Sequence, residues 1–168
     1  MNLYKSPYVL LVVHTACILL LVLGGNNLLA ADKGQVELPK LTAKPGEVIS
    51  LPLTVKNVDN LAGLKIILNY DSDLLNYKGL QKADIVKSLM HTVNSGVKDK
   101  LIVVMAGAKG KKIENAPVLK LKFKLAPKGF NNKQTININI NSIKIMSDEL
   151  NKTEVDLQHG KIKVEQRE

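Results

Sequence analysis

Between Thr135 and Ser142 the chain reads TINININS, with isoleucine and asparagine alternating three times. A period of two is the mark of a half-buried strand, because successive side chains point to opposite faces of a sheet. Ile136, Ile138 and Ile140 must therefore face a core. The asparagines are the open question. Asparagine is a poor strand former, yet its amide both donates and accepts hydrogen bonds. A row of asparagines on a sheet is either solvated or meets something.

The same period recurs along the chain. Ile49, Leu51, Leu53 and Val55 alternate with Ser50, Pro52, Thr54 and Lys56. Proline cannot donate to a ladder, so Pro52 predicts a bulge or a sheet margin. Leu64, Ile66, Leu68 and Tyr70 alternate with Lys65, Ile67 and Asn69, and Leu119, Leu121, Phe123 and Leu125 with Lys120, Lys122 and Lys124. The run LIVVMA, Leu101 to Ala106, is apolar in both phases. Such a strand is covered on both faces or carries an exposed apolar face. In the Ile/Asn segment the phase slips from even (Ile136 to Ile140) to odd (Ile143, Ile145), which predicts a bulge near Asn141–Ser142. Turn signals at Lys44–Glu47, Asn57–Asn60 and Asp71–Asp73 separate these segments. Short strands in series with no helical periodicity predict an all-β sandwich.

Residues 1–31 follow other rules. Lys5 precedes an apolar run from Tyr8 to Leu23, and small residues, Ala30 and Ala31, end the segment. That pattern predicts a signal peptide over 1–31 and a mature domain over 32–168, secreted, periplasmic or at the cell surface. The alternative is an uncleaved membrane anchor, because leucine occupies the position three residues before either cut. Cys17 is the only cysteine, so residues 32–168 have no disulfide to draw on. With Lys5 set aside, 23 of the 24 basic residues remain against all 15 acidic ones, a net charge of +8. That excess favours anionic surroundings.

In order along the chain stand PGEVISLPLTVKNVDNLAGLKIILNYDSDLL (Pro45 to Leu75), KLIVVMA (Lys100 to Ala106), APVLKLKFKLAP (Ala116 to Pro127) and GKIKV (Gly160 to Val164). A PG turn, a strand ending in V-x-N-V, a strand ending in Tyr-Asp and a closing G-x-I-x-V strand, in this order, resemble a cohesin domain. The resemblance spans essentially all of 32–168. It implies a nine-stranded jelly-roll β-sandwich, a fold shared with some cellulose-binding modules. Ser72 departs from the proline that often follows Tyr-Asp in the family.

The resemblance also implies a function, since cohesins bind dockerins through one sheet. The implied face takes Lys65, Ile67 and Asn69 from one strand, Val103 and Met105 from the apolar run, and Asn137 and Asn139 from the Ile/Asn strand. A short strand near His91–Asn94 completes it. Type I cohesins often place asparagine and aspartate where this chain has Gly63 and Lys65. Lysine cannot accept a hydrogen bond. The expected partner is therefore a protein, either dockerin-like or another extracellular one. The single module, without a dockerin or a proline-threonine linker, does not read as a multi-module scaffold.

Two alternatives stand beside this reading. A polysaccharide-binding platform needs exposed rings. Residues 32–168 contain only Tyr70, Tyr77, Phe123 and Phe130, with Tyr70 and Phe123 in inward phase. A basic stripe of Lys56, Lys120, Lys122 and Lys124 could instead meet acidic glycans or lipid head groups. Nucleic acid is excluded for an exported chain with no stacking aromatics on a basic face. No catalytic, cofactor or metal site is expected. His91 and His159 lack triad or metal-ligand spacing, and Asp71 with Asp73 reads as a turn cap.

Overall fold

Alternation becomes pairing in the computed structural model, which describes residues 33–131 and 134–165. Among these residues the strands are β1 (Gly34–Glu37), β2 (Lys40–Ala43), β3 (Val48–Val58), β4 (Gly63–Asn69), β5 (Leu75–Lys82), β6 (Met90–Asn94), β7 (Lys100–Ala106), β8 (Ile113–Leu125), β9 (Thr135–Met146), β10 (Lys152–Thr153), β11 (Val155–Gln158) and β12 (Gly160–Val164). One sheet has the order β11-β1-β3-β8-β5; the other runs β2-β12-β9-β4-β7-β6, with β10 added to β9. The segment expected to be a signal peptide, 1–31, lies outside the described residues.

The strand segments reduce to the expected nine. β1 and β2 are one N-terminal strand interrupted at Leu38–Pro39, and β11 and β12 are one C-terminal strand interrupted at His159. The two interrupted strands run parallel to each other and pass from the first sheet to the second together. Leu38 N–H donates to the Gln158 carbonyl at 2.9 Å and Lys161 N–H to the Pro39 carbonyl at 3.2 Å, which holds the crossing. Gly160 is buried there, and a Cβ on it would meet Leu38 Cβ at 3.0 Å. The close approach of the two backbones explains the glycine. Beyond these, the two-residue β10 is an appendage on β9.

The inner faces follow the predicted phases. Ile136, Ile138, Ile140, Leu64, Ile66 and Leu68 from one sheet pack into the same core as Leu51, Leu53, Val55, Leu121 and Phe123 from the other. Each such side chain contributes roughly 1.5–3 kcal/mol by leaving water. Among the described residues no polar or charged side chain is buried. The predicted slip in β9 is a bulge: Ile67 pairs with Ser142 and Leu68 with Ile140, leaving Asn141 unmatched. Pro52 sits where β3 has β8 on one side only, since β1 pairs with β3 from Thr54 to Lys56. A second register shift, between Leu53 and Thr54, follows immediately.

Candidate functional site

The outer face of the seven-stranded sheet can be laid out in rows, because paired residues in an antiparallel ladder share a face. Across β6, β7, β4 and β9 the first row is Met90, Ala106, Gly63 and Met146. The second is Thr92, Val104, Lys65 and Lys144, and the third is Asn94, Ile102, Ile67 and Ser142. A fourth, without β6, is Lys100, Asn69 and Asn139. The middle of the face is therefore apolar, with Ile67, Ile102 and Val104 half-buried beside one another. Amides and lysines surround them.

This layout corrects the expected site in one strand. Val103 and Met105 are 0% and 1% exposed and face the core with Leu101. Ile102, Val104 and Ala106 point outward in their place. The run LIVVMA does carry an exposed apolar face, but in the opposite phase from the one assigned. Both phases are apolar, so composition could not choose between them. Lys100 could: it shares parity with Ile102 and Val104, and a lysine at the strand start marks the solvent side. Lys65, Ile67, Asn69 and Asn139 share the face as expected. Asn137 is also exposed but lies farther out, opposite Lys161 on β12 and past the end of β4.

The alternative sites fare differently. Lys120, Lys122 and Lys124 form an exposed row on the outer face of the five-stranded sheet, opposite Pro52, Ser50 and Val48. Lys56 does not belong to it. It is half-buried and paired with Glu37 at 2.7 Å. The rings point inward. Tyr70 and Tyr77 both stack edge-on against buried Phe123, with centroids 5.1 and 5.7 Å away, and Phe130 packs against the core. His91 lies exposed on β6, and His159 Nδ1 accepts the Ile140 N–H at 3.1 Å.

At one end of the face the rows open into an apolar groove of about 370 Å³. Gly63 and Ala106 form its floor, and Val104, Met146 and Leu150 its sides. Nothing larger than a methyl group fills the middle of the first row, while Met90 stands 77% exposed at its end. Leu150, 76% exposed, is held there by the turn after β9, in the left-handed conformation at φ 64°. Such a φ is uncommon for a residue with a Cβ and costs on the order of 1–2 kcal/mol.

A polar clasp fixes that turn. Asp148 accepts hydrogen bonds from Asn60 Nδ2 at 2.7 Å and Gly110 N–H at 3.1 Å, and its own N–H donates to Asn60 Oδ1. The Gly110 N–H, and after it the Asn60 amide, hold the Asp148 carboxyl below its usual range. Gly110 makes room for the clasp: a Cβ there would fall 1.4 Å from Asn60 Oδ1, so a larger residue must displace that side chain. At the far end Asp99, with φ 59°, accepts from the N–H and the hydroxyl of Ser72 at 2.9 and 2.7 Å. Those bonds, backbone first, lower its pKa. Ser72 thus ties the β4–β5 turn to the β6–β7 turn, a role proline could not fill. At that same end, in the fourth row, Asn69 Oδ1 is covered and has no hydrogen-bond partner.

A family profile described as Cohesin domain matches residues 34–164. The chain belongs to the cohesin domain family. Solved structures carry the same fold at low identity. A non-cellulosomal cohesin from the hyperthermophilic archaeon Archaeoglobus fulgidus is 16% identical, with a TM-score of 0.69 over 79% of this chain and 91% of that one. The OlpC cohesin in a type I cohesin–dockerin complex from Clostridium thermocellum is 18% identical, with a TM-score of 0.72 over 82% and 97%. The cohesin CaCohA2 from Clostridium acetobutylicum is 15% identical, with a TM-score of 0.68 over 82% and 94%. No curated protein matches the chain. The four strands β9, β4, β7 and β6, expected to share one sheet, do so in this cohesin.

Proposed function

We propose that this cohesin is an exported, non-catalytic docking module that binds a protein partner through the outer face of its seven-stranded sheet. The observation that carries the reading is the apolar centre of Ile67, Ile102 and Val104, ending in the groove at Gly63. An outward-facing apolar strip rimmed by amides and charges has the composition of a protein interface. Family membership supports it, since related cohesins are seen in complex with dockerins. With Lys65 and Gly63 where a type I cohesin often has acceptors, the partner differs from an ordinary type I dockerin. A polysaccharide platform draws no support from Tyr70, Tyr77 and Phe123, whose rings are packed together.

The test is capture from extracts of the source organism with residues 32–168 as bait. Ile67→Glu or Val104→Glu should weaken capture at least tenfold, about 1.4 kcal/mol. Paired Lys120→Glu and Lys122→Glu should leave it intact. The reverse pattern would move the binding surface to the lysine row. Export is tested separately: sequencing of the native protein should begin near Ala31 or Asp32, whereas intact Met1 in a membrane fraction would favour the anchor.

A further inference from the structure

The seven-stranded sheet has an unusual charge distribution. Its strands hold seven lysines (Lys40, Lys65, Lys100, Lys144, Lys152, Lys161 and Lys163) and no aspartate or glutamate. Every acidic side chain of the described residues lies elsewhere, on loops and turns, on the short 3-10 helix Asp84–Val86 or on the other sheet. Lys163 and Lys152 have carboxylate neighbours in Glu165 and Glu154. Beside the apolar centre of the face, Lys65 and Lys144 have none. They are directly opposed across β4 and β9, where Cβ atoms lie about 4.5–5.5 Å apart and like charges are destabilising. The nearest acid along the chain, Asp148, also lines the groove, but its carboxylate is engaged by Gly110 and Asn60.

Lys65 and Lys144 also border the groove. Gly63, its floor, is two residues before Lys65, about 6.5–7 Å along the strand. A lysine pair set against itself, beside an apolar recess, is a site whose electrostatics favour an incoming anion. Resting on the docking reading, we propose that the partner is a protein surface with two carboxylates for Lys65 and Lys144, about 7 Å from an aliphatic side chain that enters the groove at Gly63. The pair then supplies specificity. It repels a basic partner and steers an acidic one, while the groove supplies the desolvated contact.

The probe is a displayed library of small folded scaffolds with randomised surfaces, selected against residues 32–168. Binders that lose at least tenfold affinity to Val104→Glu are on the face. Among them, Asp and Glu should be enriched beside an aliphatic position. Affinity should fall severalfold between 0.05 and 0.5 M salt. The double variant Lys65→Glu, Lys144→Glu should select Lys and Arg instead, with its unfolding midpoint no lower than wild type. Face-directed binders without acidic enrichment, or with none of the reversal, overturn the acidic partner and leave the docking reading standing. Binders indifferent to Val104→Glu overturn the docking reading itself. Polygalacturonate bound through Lys65 and Lys144 but unaffected by Val104→Glu would replace the protein partner with an anionic glycan.

Discussion

The two outer faces of this cohesin are built from similar strands and are quite different surfaces. On the five-stranded sheet β8 sends Phe123, Leu121 and Leu119 inward and Lys124, Lys122 and Lys120 outward, beside Ser50, Asn76 and Gln81. That is plain alternation, and a lysine row of this kind keeps the face charged and solvated. On the seven-stranded sheet β7 sends Leu101, Val103 and Met105 inward, but Ile102 and Val104 outward. Nothing in the fold requires apolar residues there, since the same sandwich closes over lysines on the other side. The difference teaches that the core explains one phase of a strand, and that an apolar second phase calls for another explanation.

The sharpest way to break the comparison is to move a charge by one residue. Met105→Glu buries a carboxylate in the core, a cost of several kcal/mol that should leave the domain largely unfolded in denaturant titration. Val104→Glu places the same charge on the outer face and should shift the midpoint about as little as Lys122→Glu. If both glutamates are tolerated, or both unfold the chain, the assigned phase of β7 is wrong.

Next in size is the pair in β9. Ile138→Asn replaces a fully buried side chain with an amide that finds no partner, for about 3–5 kcal/mol of lost stability. Asn139→Ile should stay within about 1 kcal/mol of wild type, since surface changes cost little. It should lower solubility by enlarging the apolar centre, measurable as the salt concentration at which the protein precipitates.

These pairs also show what the sequence could and could not disclose. In β9 the alternation is between unlike residues, so the inward set, the outward set and the bulge at Asn141 were all legible. In β7 the residues are alike in both phases, and only the lone Lys100 marked the outward side. The groove was out of reach for another reason. Gly63, Ala106, Met146 and Leu150 are scattered over 88 positions and converge only through register, so no local pattern announces them. Lys65 and Lys144 meet in the same way. Pairing partners across a sheet are long-range facts, whereas phase along a strand is a local one.

A third prediction concerns the clasp, which positions Leu150 at the groove. Gly110→Ala should force the Asn60 side chain aside, because the new Cβ would also fall 2.4 Å from Asn60 Cγ. Overpacking of this kind costs about 1–3 kcal/mol. The backbone amides of Asp148 to Leu150 should exchange faster with solvent. Lys122→Ala, on the other face, should leave those amides unchanged. Gly63→Ala is the milder companion, since its Cβ would meet only ordinary contacts at 3.6 and 3.8 Å. It should keep the midpoint and reduce the room in the groove.

The smallest effect is the response of the clasp to pH. Asp148 is exposed, and its carboxyl is held below the ordinary 3.8 by the Gly110 N–H and the Asn60 amide. A carboxyl whose folded-state pKa is depressed binds protons less readily folded than unfolded. Its contribution is therefore complete above the unfolded value and is lost as pH falls through the folded one. Asp99, lowered by its bonds from Ser72, follows the same sign at the opposite end of the face. Both contributions are lost only in acid, below about pH 4, and are complete and constant across pH 6–8. Asp148→Ala should consequently unfold at a lower temperature than wild type at pH 6, with the two midpoints converging as pH is taken below the carboxylate range. Amide exchange at Leu150 should rise over the same interval in wild type and stay flat in the variant, whose turn is already released. A gap that persists unchanged in acid would mean that Asp148 acts by shape, and that the lowered carboxyl contributes nothing to holding Leu150 at the groove.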